Sequence, residues 1–216
     1  MLNRRLDLLI DYPFQRLAAL LAGPPGAEPL SMALGEPQHP LPPMVAGIIA
    51  DSAASFGKYP PLNGTPEFRA VAAAWASRRF ALPAGLLDPE RHLLPLGGSR
   101  EGLFQLAQVV CPSGRTGKRR PVVLLPNPLY QVYAAAALMA GAEPVFVPAT
   151  ESDGFLPDFQ SLPKAVLQRT VLAYLGNPAN PQGAVASAEV LRPMIDLARR
   201  HGFVLAVDEC YSEIYD

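Results

Sequence analysis

Asp208 closes an apolar run, Phe203–Val207, and is followed by Glu209, Cys210 and Tyr211. A carboxylate at the end of a buried strand is costly to ionise without a cationic partner, so Asp208 calls for a positive charge from a side chain or a ligand. Cys210 has no histidine within the motif to activate it, which argues against a thiol nucleophile. In the run Gly176-Asn177-Pro178-Ala179-Asn180-Pro181-Gln182-Gly183, two Asn-Pro pairs and a closing glycine make a rigid, non-helical loop. Its amide side chains are free to donate and accept. The stretch LPLGGSREG at 94–102 carries small residues at a strand-to-helix turn. Backbone N–H groups can approach a ligand there, and a helix N-terminus favours an anion, so the turn could cradle a phosphate; a plain tight turn reads the same way. Tyr130, in PNPLY at 126–130, either packs internally or stacks its ring on a planar heterocycle.

Other chemistries fail on their spacing. The turn at 97–102 is not the dinucleotide fingerprint. SGRTGKRR at 113–120 is no P-loop, because Pro112 stands where the first glycine is needed and Arg119 replaces the Ser/Thr after Lys118. His39, His92 and His201 are scattered and suggest neither a metal site nor a proton relay. Cys111 and Cys210 form neither a disulfide framework nor a zinc site and read as two reduced, partly buried thiols.

The elements that must position these residues alternate along the chain. Helical spacing covers 4–22 and stops at Gly23-Pro24-Pro25, and 24–43 is a proline-rich arm. A helix is predicted at about 43–56, and another from Thr65, a cap followed by Pro66 and Glu67, to about Phe80. Short apolar runs at His92–Leu96, Val122–Leu125, Pro144–Val147, Val171–Leu175 and Phe203–Val207 predict strands. Helical patterns at 99–110, 129–140, 158–167 and 187–201 lie between them. This is an α/β fold with a mostly parallel sheet buried on both faces, whose ligands bind at the carboxyl ends of the strands.

Composition bounds the rest. The chain has 216 residues, half of them hydrophobic, with 18 Lys+Arg against 19 Asp+Glu and a net charge of −1. That argues against disorder and gives no electrostatic reason to bind nucleic acid or an acidic membrane. Arg4 and Arg5 precede an apolar run cut by Asp7 and Asp11, a poor signal peptide, and no stretch reaches the ~18 apolar residues of a membrane span. A soluble, cytoplasmic protein is expected.

Together the loops resemble those of the class I/II aminotransferases, pyridoxal phosphate enzymes of fold type I. The matching stretches are LGEP at 34–37, YPPLNG at 59–64, GGSREG at 97–102, PNPLY at 126–130, NPANPQG at 177–183 and VDECYSEIY at 207–215. The finer wording is most similar to bacterial N-succinyldiaminopimelate aminotransferases, which pass an amino group between N-succinyl-diaminopimelate and the glutamate/2-oxoglutarate pair on the route to lysine. An aspartate or aromatic type, or a short non-catalytic relative, is the alternative. The resemblance implies a three-layer α/β/α large domain over 43–216 and an N-terminal helix and arm over 1–42 that belongs to a small domain. It implies that Gly98, Ser99 and Arg100 hold the cofactor phosphate and that Tyr130 stacks on the pyridine ring. Asp208 would pair with the ring nitrogen, and Asn180 and Tyr211 would hydrogen-bond the phenolic oxygen. Tyr59 would reach the phosphate of the neighbouring subunit in a homodimer, and the backbone of Gly35 would meet the substrate carboxylate.

The family also needs a Schiff-base lysine, normally a few tens of residues after the Asp-x-x-Tyr motif. The lysines here are Lys58, Lys118 and Lys164, none in a matching context, and the sequence runs to Asp216. The expectation is the N-terminal portion of such an enzyme, with no catalytic lysine assigned, inactive alone and prone to aggregate.

Overall fold

The computed structural model describes residues 3–9, 13–24, 26–28, 30, 35, 39–112 and 119–214. By its contacts the chain divides into two units, one of residues 1–10 with 96–216 and the other of residues 11–95.

In the unit of residues 11–95, helix α1 spans Pro13–Leu20, α2 spans Met44–Asp51 and a 3-10 turn covers Ala53–Gly57. Helix α3, Pro66–Arg79, starts as its sequence dictates: Thr65 accepts the Phe68 N–H on its side-chain oxygen at 3.2 Å, Pro66 takes the first helical position and Glu67 sits in the first turn. The helix predicted over 4–22 is therefore not continuous. Arg4–Leu8 is a 3-10 turn belonging to the other unit, and residues 10–12 lie outside the described residues. Arg69 of α3 is buried. Its guanidinium donates to the carbonyls of Pro89, Asn63 and Gly64 at 3.1, 2.9 and 2.6 Å and to the Glu90 carboxylate at 2.6 Å.

The strand expected at His92–Leu96 is not one. The segment pairs with no strand among the described residues, and Leu94 and Leu96 are exposed. An extended apolar run becomes a strand only where a neighbour accepts its hydrogen bonds and covers its side chains.

The unit of residues 1–10 and 96–216 is built on a sheet. Helix α4 is Ser99–Val110, β1 Val122–Asn127, α5 Gln131–Met139, β2 Glu143–Pro148, α6 Lys164–Leu167, β3 Thr170–Gly176, α7 Ala188–His201 and β4 Val204–Asp208. The four strands are parallel in the order β2-β1-β3-β4. The helix predicted at 158–167 is instead a 3-10 turn at Phe159–Ser161 and the single turn α6. Pro163 between them cannot continue a helix and holds Leu162 extended.

Side-chain alternation splits the core in two. Val122 and Leu124 of β1 with Ala173 and Leu175 of β3 point to one face, where Met194, Leu197 and Ala198 of α7 cover them. Val123 and Leu125 with Leu172 and Tyr174 point to the other, against Ala107 of α4 and Tyr133, Ala136 and Ala137 of α5. The result is a three-layer α/β/α arrangement, as the resemblance implies. Burial on both faces holds for β1 and β3 but not for β4, which is half-exposed along its length. Among the described residues it pairs with β3 on one side. Among the described residues no helix is long and apolar enough to cross a membrane.

Candidate functional site

Pro126, Gly176 and Asp208, at the carboxyl ends of β1, β3 and β4, form the floor of a cleft of about 230 Å³. This lies just below the roughly 300 Å³ at which ligand clefts begin, and it suits one substituted ring rather than a dinucleotide. Ser99, Tyr130, Asn180, Asp208 and Tyr211 all line it. Five residues picked from four separate segments thus converge where a parallel sheet places its ligands.

Each loop delivers its residue for a local reason. Gly98 is the N-cap of α4 and brings no side chain to cap it, and Ser99 is the first helical residue. The N–H groups of such a helix start favour an anion. Gly98 and Arg100 do not themselves line the cleft. Arg100 Nε donates instead to the Tyr130 hydroxyl at 2.9 Å. Tyr130 is the N-cap of α5, and its ring meets Tyr133 edge-on with centroids 5.7 Å apart. The loop after β3 is pinned at both ends: Asn177 N–H donates to the Asp208 carbonyl at 2.9 Å, and Asn177 Oδ1 accepts from Ala186 N–H at 2.8 Å. Gly183 (φ 73°) closes it in a conformation that favours glycine, donating its N–H to the Ala179 carbonyl at 2.7 Å. Asn180 Nδ2 then donates to the Tyr211 hydroxyl at 3.1 Å, so the two groups present themselves side by side.

Asp208 has no cationic partner among the described residues. Oδ2 accepts from the Tyr133 hydroxyl at 2.7 Å and Oδ1 from the Cys210 N–H at 3.3 Å. The positive charge it calls for is not supplied by a side chain; a carboxylate with two acceptor positions used has others to offer a ligand. Burial first, then the Asp208 hydrogen bond and charge, hold the Tyr133 phenol well above its ordinary range, so it stays a donor. Burial also raises Tyr211, with further increments from Cys210 and Asp208. Cys210, exposed at the cleft wall, is pushed up to about 11 by desolvation of its thiol and then by the Asp208 charge, which disfavours a thiolate nucleophile there. Cys111 is buried, and both thiols are free.

Two expected residues lie in the other unit. Tyr59 is fully exposed. Gly35 is exposed with no atom within 4 Å of where a Cβ would stand, and its motif neighbours Leu34, Glu36 and Pro37 lie outside the described residues. No described lysine lines the cleft: Lys58 and Lys164 are exposed elsewhere, and Lys118 lies outside the described residues. Among the described residues no group of His, Cys, Asp and Glu could hold a metal ion. The sequence reading missed Tyr133. The signal was available, since it follows Tyr130 by three positions in the predicted helix 129–140 and so shares its side of the helix.

A parallel sheet covered by helices on both faces, with a helix start, an aromatic, an amide–phenol pair and a carboxylate without a cationic partner gathered at its strand ends, is a ligand-site arrangement of α/β folds. The family model for class I and II aminotransferases matches residues 28–216, and the chain belongs to that family, whose members depend on pyridoxal phosphate. It is 34% identical over 215 residues to the LL-diaminopimelate aminotransferase of Desulforudis audaxviator (strain MP104C), covering 98% of this chain and 53% of that protein. An aminotransferase from Neisseria meningitidis Z2491 superposes with a TM-score of 0.90 at 36% identity, over 100% of this chain and 54% of that one. The aminotransferase AspB from Helicobacter pylori 26695 superposes with a TM-score of 0.84 at 35% identity, over 96% and 53%. The chain spans about half the length of the curated relatives it matches. Their names carry diaminopimelate without a succinyl group, so the expected N-succinyl substrate draws no support from them.

Proposed function

We propose that this chain is the cofactor-holding part of an aminotransferase that uses pyridoxal phosphate to move an amino group from a diaminopimelate-type donor to 2-oxoglutarate, in lysine biosynthesis. The observation that carries the reading is the convergence of Ser99, Tyr130, Asn180, Asp208 and Tyr211 on one cleft at the strand ends. The cofactor, when bound, supplies an electron sink for negative charge at the amino acid's α-carbon. The chain's own groups do the holding. The N–H groups at the start of α4, with Gly98, Ser99 and Arg100, meet the phosphate. Tyr130 covers the ring face. Asp208 holds a proton at the ring nitrogen, and Asn180 and Tyr211 donate to the phenolic oxygen. The backbone of Gly35 meets the substrate carboxylate. Tyr59, fully exposed in its own unit, reaches the phosphate of a second subunit in a homodimer. Residues 43–216 belong to the large domain and 1–42 to the small one. The two free thiols support a cytoplasmic setting.

The test is equilibrium binding of pyridoxal phosphate to the purified chain and to Asp208→Asn. The variant keeps the shape and loses the charge, and affinity is expected to fall about tenfold or more, the worth of a charge-assisted bond in a partly buried site. Equal affinities would remove Asp208 from its role. Substrate choice is read on the whole protein by comparing kcat/KM for diaminopimelate, its N-succinyl derivative and aspartate with 2-oxoglutarate as acceptor. A clear preference for aspartate would overturn the substrate class and leave the family standing.

A further inference from the structure

We infer that Tyr133 is the positioning residue of this site: through its hydroxyl it fixes the Asp208 carboxylate, and through its stack on Tyr174 it ties that carboxylate to the helix whose N-terminus faces the cleft. The inference rests on the cofactor reading proposed above and names residues outside it.

Three contacts build the tie. The Tyr133 hydroxyl donates to Asp208 Oδ2 at 2.7 Å, shorter than the 3.3 Å backbone contact to Oδ1. The Tyr133 and Tyr174 rings lie parallel, 3° apart, with centroids 4.6 Å apart. The Tyr174 hydroxyl donates to the Leu103 carbonyl of α4 at 2.6 Å. Helix α4, strand β3, helix α5 and the end of β4 are thus joined by two side chains, one 3% and the other 0% exposed. Phenylalanine at both positions would fill nearly the same volume with no hydroxyl to satisfy. The hydroxyls therefore need an account, and the carboxylate at the cleft supplies one. A strand-end aspartate can turn about two side-chain torsions; a short bond from a buried, permanently protonated phenol removes that freedom. One oxygen is held against Tyr133 and the remaining acceptor positions are left for the cleft. A second path closes the same loop on the cleft side, from Arg100 of α4 to Tyr130 and edge-on to Tyr133. The two ends of the proposed ligand, anion and ring nitrogen, are in this way spaced by one aromatic lattice.

The experiment compares the full chain with Tyr133→Phe. The probes are pyridoxal phosphate and its carbocyclic analogue with CH in place of the ring nitrogen, and thermal unfolding confirms that both proteins are folded. Tyr133→Phe is expected to weaken pyridoxal phosphate about tenfold, the worth of a hydrogen bond to a charged group, and to leave the analogue unchanged. Without either probe, the ¹³Cγ resonance of Asp208 is expected to move in the variant. Equal weakening of both probes, or of neither, overturns the inference and leaves the cofactor reading intact. An unmoved Asp208 resonance overturns it too. Failure of the unsubstituted chain to bind either probe removes the cofactor reading, and this inference with it.

Discussion

Replacing Arg69 with methionine tests the buried guanidinium of α3. The side chain is 3% exposed and its donors reach three carbonyls and one carboxylate. Glu90, the carboxylate, is 61% exposed on its side chain, so the ion pair itself is screened and contributes at most about 1 kcal/mol. The larger loss is the stranding of the Asn63, Gly64 and Pro89 carbonyls, each of which now accepts from a charge. Asn63 is exposed and Gly64 and Pro89 are half-buried, so removing their shared donor costs about 1–3 kcal/mol. Glu90→Gln should therefore cost under about 1 kcal/mol, and Arg69→Lys, whose point charge cannot reproduce the fork, should fall between the two. Trp75, the single tryptophan, stands on the same helix and reports urea unfolding by fluorescence. With a slope of about 2 kcal/mol per molar urea, the Arg69→Met midpoint should drop by about 1 M. A loss below about 1 kcal/mol, or a Glu90→Gln loss as large as that of Arg69→Met, would refute the assignment. The outcome bears on the role proposed for Tyr59, because Asn63 and Gly64 end the loop that carries it.

Two further outcomes follow from the cleft. Reduction of the chain with borohydride in the presence of pyridoxal phosphate should leave Lys58, Lys118 and Lys164 without stoichiometric label by mass spectrometry, since no described lysine lines the cleft; full labelling of one of them would reassign the lysine chemistry. Alkylation of Cys210 by iodoacetamide should rise with pH toward an apparent pKa of about 11, and Asp208→Asn should lower that value, because burial and the Asp208 charge both oppose the thiolate; a rate already level at pH 8 would contradict it.

Local signals carried most of the fold. Gly98 and Ser99 open α4 at the expected position, the cap at Thr65 starts α3, and the four strands of the sheet fall where the apolar runs are. The failures share a cause. The run at 92–96 has the composition of a strand, but composition does not state whether a neighbour exists to pair with it. Pro163 outweighed helical spacing across 158–167. At the site, Ser99, Tyr130, Asn180, Asp208 and Tyr211 were legible because unusual loops advertise themselves. Tyr174 and Arg69 were not, because a tyrosine on an alternating strand or a lone arginine in a helix looks ordinary until a distant partner is known; Tyr133 offered its three-residue spacing from Tyr130 but not its partner. The Tyr133–Asp208 bond joins residues 75 positions apart.

Among the described residues the order β2-β1-β3-β4 sets β4 beside β3. Strand β4 delivers Asp208 and leads into Tyr211, while Ser99 comes from before the first strand. During synthesis the loops after β1 and β3 can form early, yet the cleft has no carboxylate until β4 has emerged and zipped onto β3 through its crossover helix, a slow, non-local event. The cleft is therefore complete only once β4 is in place, and it loses its carboxylate if that strand frays from β3. A bound ligand touching Asp208 would act as the latch that keeps that strand in place, so its strongest protection against hydrogen exchange should fall on the amides of β4 rather than on the already buried β1.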